Sequence, residues 1–164
     1  MGDGLDPGSA LGPLQNKAQF EKVCAIVDSA RTDGARILCG GEPMGKGYFY
    51  PVTIVAEARD GMRIVDEEQF GPVLPVIRYT ALDDAIAAAN ALDYGLSASV
   101  WSSDPARASQ VATRLDAGTV SVNSHADIAP NVPFGGVKQS GLGVEFGEVG
   151  LEAYTNIKVY NVAR

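Results

Sequence analysis

The chain has 164 residues, enough for one domain of ordinary size with a real core, and 46% of them are apolar, close to the average for a soluble globular protein. Its formal net charge of −7 excludes nonspecific nucleic-acid binding, because a phosphate-binding surface needs a basic excess. No apolar run approaches the roughly 18 residues of a membrane span, and Met1-Gly2-Asp3-Gly4-Leu5 has neither the basic nor the apolar stretch of a secretion signal.

Residues 1–14, rich in Gly, Pro and small side chains, read as a loop. Asn16 can cap a helix through about residue 31, with Phe20, Val23, Cys24 and Val27 on its inner face and Gly34 ending it. A short strand is expected over residues 36–39, a turn-rich connection over 40–47, and a second strand over 48–55 with Pro51 near an edge. The polar stretch 57–68 leads into Phe70-Gly71-Pro72, and residues 73–79 look like a buried strand. Asp83 and Asp84 open an Ala-rich helix through residue 92, their charge favourable at its N-terminus, and Tyr94-Gly95 ends it. Residues 96–101 form a strand. Asp104 and Pro105 start a helix to about residue 116, the aspartate as cap and the proline in the first turn. Residues 119–122 are another strand. This alternation in short units predicts an α/β fold with a parallel sheet and right-handed crossovers. Residues 124–143 break the pattern as a long irregular segment, of a kind that is usually functional or interfacial. A short helix over 148–153 and a strand over 155–162 close the chain.

Several tempting motifs fail on their chemistry. Residues 40–47 have the GxxxxGK spacing of a phosphate loop, but Gly47 stands where Ser or Thr must hold magnesium, and a strand-like run follows where a helix should begin. A β-turn between strands is the reading that fits. Residues 141–147 approach GxGxxG, yet the last spacing is one residue too long and no Rossmann unit follows. Cys24 and Cys39 form no CxxC pair and are too few for a disulfide scaffold, which suits a reducing cytoplasm. Cys24 reads as a buried, inert thiol and Cys39 as a strand end, with reactivity as its alternative. One histidine and no His/Cys cluster speak against a zinc site, so no metal is expected. Asp66-Glu67-Glu68 alone would be a solvated turn. These residues by themselves lead no further than an α/β domain with an unusual C-terminal loop.

Five segments in order carry more. Glu67-Glu68-Gln69-Phe70-Gly71-Pro72-Val73 is similar to E-E-x-F-G-P-V. Residues 90–100, with Asn90, Tyr94, Gly95, Leu96, Ala98 and Val100, fit N-x-x-x-Y-G-L-x-A-x-V. Residues 117–123 fit A-G-x-V-x-V-N. Residues 133–141 fit P-F-G-G-x-K-x-S-G, continued by Gly143, Glu145 and Gly147. Tyr154-Thr155 and the last strand also fit. Together they resemble the C-terminal part of the NAD(P)-dependent aldehyde dehydrogenase family over nearly the whole chain.

That resemblance implies a three-layer, parallel-sheet α/β catalytic domain over residues 15–153 and an oligomerisation strand over 154–164, without the Rossmann domain. It implies a parent that oxidises an aldehyde to a carboxylic acid with NAD or NADP and forms a homo-oligomer through the last strand. Glu68 would accept from the nicotinamide ribose, as acidic residues do in other dinucleotide sites. Phe70 would pack beside that ribose, and Leu96 would border the nicotinamide pocket. The loop from Ser124 would wall the aldehyde site, with His125, Ile128 and Phe134. Glu145 matches a proton-relay glutamate, with a helix-start carboxylate as its alternative. The family's nucleophilic cysteine, general-base glutamate and oxyanion asparagine correspond to nothing in these residues. The chain alone is therefore expected to be inactive and to bind no cofactor tightly. Val144 stands where many relatives carry a basic residue. The rival reading is a stand-alone, non-catalytic binding or assembly module.

Overall fold

Asn16 starts the first helix as its chemistry allows. In the computed structural model, which describes residues 1–125 and 127–163, α1 spans Lys17–Thr32, and the Asn16 side chain accepts the Gln19 N–H at 2.9 Å. At the other end Gly34 takes φ 87°, its N–H donating to Arg31 O while Ala35 N–H donates to Ala30 O. This satisfies two terminal carbonyls in the Schellman pattern. Val23, Ile26, Val27 and Ala30 are buried, while Phe20 and Cys24 pack at the margin of that core.

The chain divides into two compact units, Met1–Thr80 and Ala81–Arg164. In the first, β1 (Arg36–Cys39), β2 (Thr53–Ala56) and β3 (Val73–Pro75) form one sheet in that order. A four-residue helix α2 (Arg63–Asp66) adds Ile64 to a core holding Tyr50, Val55, Met62 and Val73. The expected strand over 48–55 begins only at Thr53. Pro51 has no N–H to give a ladder, and its carbonyl is taken by the Thr53 hydroxyl. The expected buried strand over 73–79 stops at Pro75, and Leu74, Val76, Ile77 and Tyr79 are exposed. The 40–47 segment is a turn fastened to the core, where the Gly41 carbonyl accepts from the Tyr50 hydroxyl and the Arg31 guanidinium.

The second unit contains α3 (Leu82–Ala91), β4 (Tyr94–Gly95), β5 (Ser97–Val100), α4 (Pro105–Ala112), β6 (Thr119–Val122), β7 (Val137–Lys138) and α5 (Gly147–Glu152). Asp104 caps α4 by accepting the Arg107 N–H, with Pro105 at the first position. α4 ends at Ala112, earlier than expected, and its cap residue Thr113 turns its hydroxyl back onto Gln110 O.

The sheets are mixed, which corrects the expectation of parallel pairing throughout. β2–β3 and β5–β6 are parallel, whereas β1–β2 and β4–β7 are antiparallel. β1 and β2 are joined by a turn without a crossover helix, so the chain returns in the opposite direction. Residues 155–163 form no strand among the described residues, and Ile157, Val159, Tyr160 and Val162 are exposed. A strand needs a partner's backbone groups, and no such pairing forms for this segment among the described residues. No helix among the described residues is long and apolar enough to cross a membrane.

Candidate functional site

Two of the expected cofactor residues lie just after α2. Glu67 forms an ion pair with Arg63 at 2.6 Å, and that hydrogen bond holds its carboxyl below the usual carboxylate range. Glu68 is half-buried, and among the described residues its carboxylate accepts no hydrogen bond, while its backbone carbonyl takes Lys22 Nζ at 2.7 Å. Neighbouring carboxylates are thus divided: one is spent on an internal partner and one is open to a ligand.

Phe70 follows with φ 45° and 72% exposure. A left-handed phenylalanine costs on the order of 1–3 kcal/mol and persists only where its surroundings dictate it. Gln69 supplies that constraint. Its Nε2 donates to Val73 O and its Oε1 accepts the Gly71 N–H, each at 2.7 Å, and its carbonyl accepts from Gln19 Nε2. The ring is held out into solvent by a rigid turn.

In the second unit the residues expected to wall an aldehyde site lie over a sheet. The parallel register sets Ser97 opposite Thr119 and Ser99 opposite Ser121. Alternation places these hydroxyls on one face of the strand pair, and α4 packs against both strands with Ala108 buried. Over the hydroxyl face lies a pocket of about 50 Å³, closed by His125, Asp127, Ile128 and Phe134. Three of the four expected substrate residues therefore share one pocket. Ser124 is half-buried and does not line it. Leu96, exposed, sits at the entry to β5.

The loop that makes this wall is clamped at its start. Asn123, with φ 54°, accepts the Ser102 N–H at 2.8 Å and donates to Ser102 O at 2.9 Å. At the far end Phe134 and Glu145 exchange both backbone hydrogen bonds at 2.8 Å. That bridge carries Glu145, whose side chain is exposed beside a second, open pocket of about 380 Å³ with Phe146, Leu151 and Tyr154. Glu145 stands before the helix, because α5 begins at Gly147 with Glu148 as its first-turn acid. Among the described residues no His/Cys/Asp/Glu cluster is arranged to hold a metal.

Asn90, Lys138 and Ser140 were given no role from the sequence, although each stands in a matched motif. Asn90 Nδ2 donates to Arg114 O, and its Oδ1 accepts the Asp116 N–H. Ser140 Oγ accepts the Gly95 N–H. These bonds span more than twenty residues, so no local pattern could have signalled them.

The sequence model of the aldehyde dehydrogenase family matches residues 1–160. The chain belongs to the aldehyde dehydrogenase family. It is 42% identical to aldehyde dehydrogenase 1A1 of Bos taurus over 163 residues, which cover 99% of this chain and 32% of the relative. It is 44% identical to betaine aldehyde dehydrogenase of Cereibacter sphaeroides over 159 residues, 96% of this chain and 33% of that protein. The structure is similar to that of an NAD-dependent aldehyde dehydrogenase from Sinorhizobium meliloti, with a TM-score of 0.90 and 42% identity over 96% of this chain and 32% of that one. It is also similar to a betaine aldehyde dehydrogenase from Staphylococcus aureus solved with NAD+, with a TM-score of 0.87 and 37% identity over 93% and 31% of the two chains. The chain thus spans about a third of the length of the aldehyde dehydrogenases it matches.

Proposed function

We propose that these residues are the C-terminal part of a cytoplasmic, NAD(P)-dependent enzyme that oxidises an aldehyde to a carboxylic acid. Residues 15–153 belong to its catalytic domain and 154–164 to the strand through which it forms a homo-oligomer. The observation that carries the reading is the family match along residues 1–160 in a chain whose 124–134 loop builds a pocket wall. Exposed Leu74, Val76, Ile77 and Tyr79 agree with it, since a contiguous apolar surface is usually covered by something.

The residues present fit the cofactor. An open, half-buried carboxylate at Glu68 can accept from two ribose hydroxyls, and Phe70, two residues on, offers an exposed flat apolar face. NAD or NADP, when bound, supplies the hydride acceptor. Leu96 borders the nicotinamide side. Ser124, His125, Ile128 and Phe134 shape the aldehyde side and exclude water from it. Glu145 takes up or passes on a proton at its carboxylate.

The 164 residues alone do not turn over an aldehyde. A nucleophilic cysteine needs a lowered pKa and a neighbouring base. The Cys24 thiol is instead pushed up, by burial first and by Asp28 next. The Cys39 thiol lies on β1 with its sulfur 3.8 Å from Val52 O.

Two measurements test this. The purified chain with acetaldehyde and NAD+ should give no absorbance rise at 340 nm, and turnover would sink the claim of inactivity. Grafted in place of the matching third of the Sinorhizobium meliloti enzyme, the segment should support aldehyde oxidation. Glu68→Gln in that chimera should raise KM for NAD+ about tenfold, the worth of a charge-assisted hydrogen bond. A chimera that folds and binds NAD+ without turnover would point to the binding or assembly module instead.

A further inference from the structure

Helix α3 ends without capping help of its own. No basic residue stands in its last turn, and its C-cap, Leu92, is extended with ψ 146°. Its last carbonyls therefore need outside donors, and the negative end of its dipole favours a cation. Lys138, more than forty residues away in β7, meets both needs. Its Nζ donates to Asn90 O at 2.8 Å and to Leu92 O at 3.1 Å, and it pairs with the Asp116 carboxylate at 3.2 Å. These partners match the three protons of an ammonium, and the side chain keeps only 21% exposure. The residue is held at φ 56°, a backbone conformation that L side chains rarely adopt.

The backbone around this ammonium is tied as firmly. Tyr94 pairs with Lys138 and Gly95 with Val137. Gln139 N–H donates to Asp93 O, and Ser140 Oγ accepts the Gly95 N–H. A Cβ on Gly136 would press on Ser140 Cβ at 2.7 Å and touch Leu96 Cα at an ordinary 3.4 Å, and one on Gly118 would meet Gly135 O. Leu96 leaves this knot on one strand, and Phe134 enters it on the other.

We infer that Lys138 is a positioning residue for the pocket. Its charge joins the end of α3 to the turn before β6, its backbone pairs with β4, and together they fix where Leu96 and Phe134 stand. The inference rests on the proposed assignment of those two residues to the nicotinamide and aldehyde sides.

The test is made on the 164-residue chain without ligand, with methyl-labelled Leu and Ile. In Lys138→Met, which removes the charge, the Leu96 and Ile128 methyl signals should shift and broaden. Amides of residues 93–96 and 134–140 should exchange about tenfold faster or more, because local opening sets exchange. The Ile26 methyl and the amides of α1 should stay as they are. Lys138→Arg, which keeps a cation, should restore the signals. Unchanged Leu96 and Ile128 methyls would overturn the inference. So would a change spread evenly over residues 81–163, or a Lys138→Arg chain that behaves like Lys138→Met, since either marks a purely structural role. Should Lys138→Met fail to fold, Asp116→Ala removes one partner of three and should move the same signals less, and silence there also overturns it. No cofactor enters this measurement, so an intact tie combined with an inactive chimera refutes the proposed function alone.

Discussion

Gly118→Ala isolates the close packing of the pocket wall from every other effect. Gly118 lies in the turn between α4 and β6, and its φ falls outside the left-handed region. The penalty for a side chain there is steric and nothing else. A Cβ would lie 1.7 Å from Gly135 O, 2.7 Å from Gly135 C and 3.1 Å from Gly136 Cα. All three atoms are backbone, so no rotamer can swing away. An unhindered Gly→Ala change stabilises by about 0.4–1 kcal/mol through the unfolded chain, whereas overpacking costs about 1–3 kcal/mol and sometimes more. A backbone-on-backbone clash belongs at the upper end, giving a net loss of about 2 kcal/mol. In a unit of this size that lowers Tm by roughly 8–16 °C, at about 4–8 °C per kcal/mol. Urea unfolding followed by Trp101, the chain's single tryptophan and a residue of the second unit, reads the loss directly. Gly12→Ala is the control: nothing lies within 4 Å of its Cβ, and its midpoint should stay within about 0.5 kcal/mol of the parent. If Gly118→Ala unfolds at the same urea concentration as Gly12→Ala, the packing argument is wrong.

Two further outcomes follow from the first unit. Burial pushes the Tyr50 phenol up to about 12, against roughly 10 in an unfolded chain. A raised folded pKa means that the contribution is fully present below about pH 10 and is lost as pH rises from there through about 12. Urea midpoints should fall across that window, and Tyr50→Phe should flatten the fall while costing about 1 kcal/mol for the lost bond to Gly41 O. A thiol reagent at neutral pH should modify exposed Cys39 well before half-buried Cys24, and equal rates read by mass spectrometry would contradict the burial described here.

Local chemistry made part of this fold legible in the sequence. Asn16, Gly34 and Asp104 each act within four residues, and each does what its side chain or its lack of one predicts. The strand lengths misled for an equally physical reason. The runs at 48–55 and 73–79 look continuous by hydrophobicity, but Pro51 has no N–H to give a ladder, and β3 runs out of partner after Pro75 pairs with Val55 near the end of β2. The direction of pairing between β1 and β2 depends on what joins them, and a one-dimensional pattern does not carry it. At the site, His125, Ile128 and Phe134 were expected only through the family resemblance, and the three share a pocket. The open state of Glu68 was not, because it depends on Arg63 engaging Glu67 instead. The tie made by Lys138 joins residues that only the folded chain brings together.

The burial pattern has a calorimetric consequence. Tyr50, Ile26, Val23, Val27 and Val55 are nearly or fully sealed, and all lie in Met1–Thr80. Among the described residues of the second unit, only Ile86 and Ala108 are hydrophobic side chains buried to a similar degree. The heat capacity of unfolding follows newly exposed apolar area, as does the slope of stability against urea. Melting the second unit should therefore absorb little extra heat capacity, and its stability should form a broad, shallow curve in temperature. The first unit should show the sharper dome. Chilling the protein then weakens its oily half more than the half held together by hydrogen-bonded clamps.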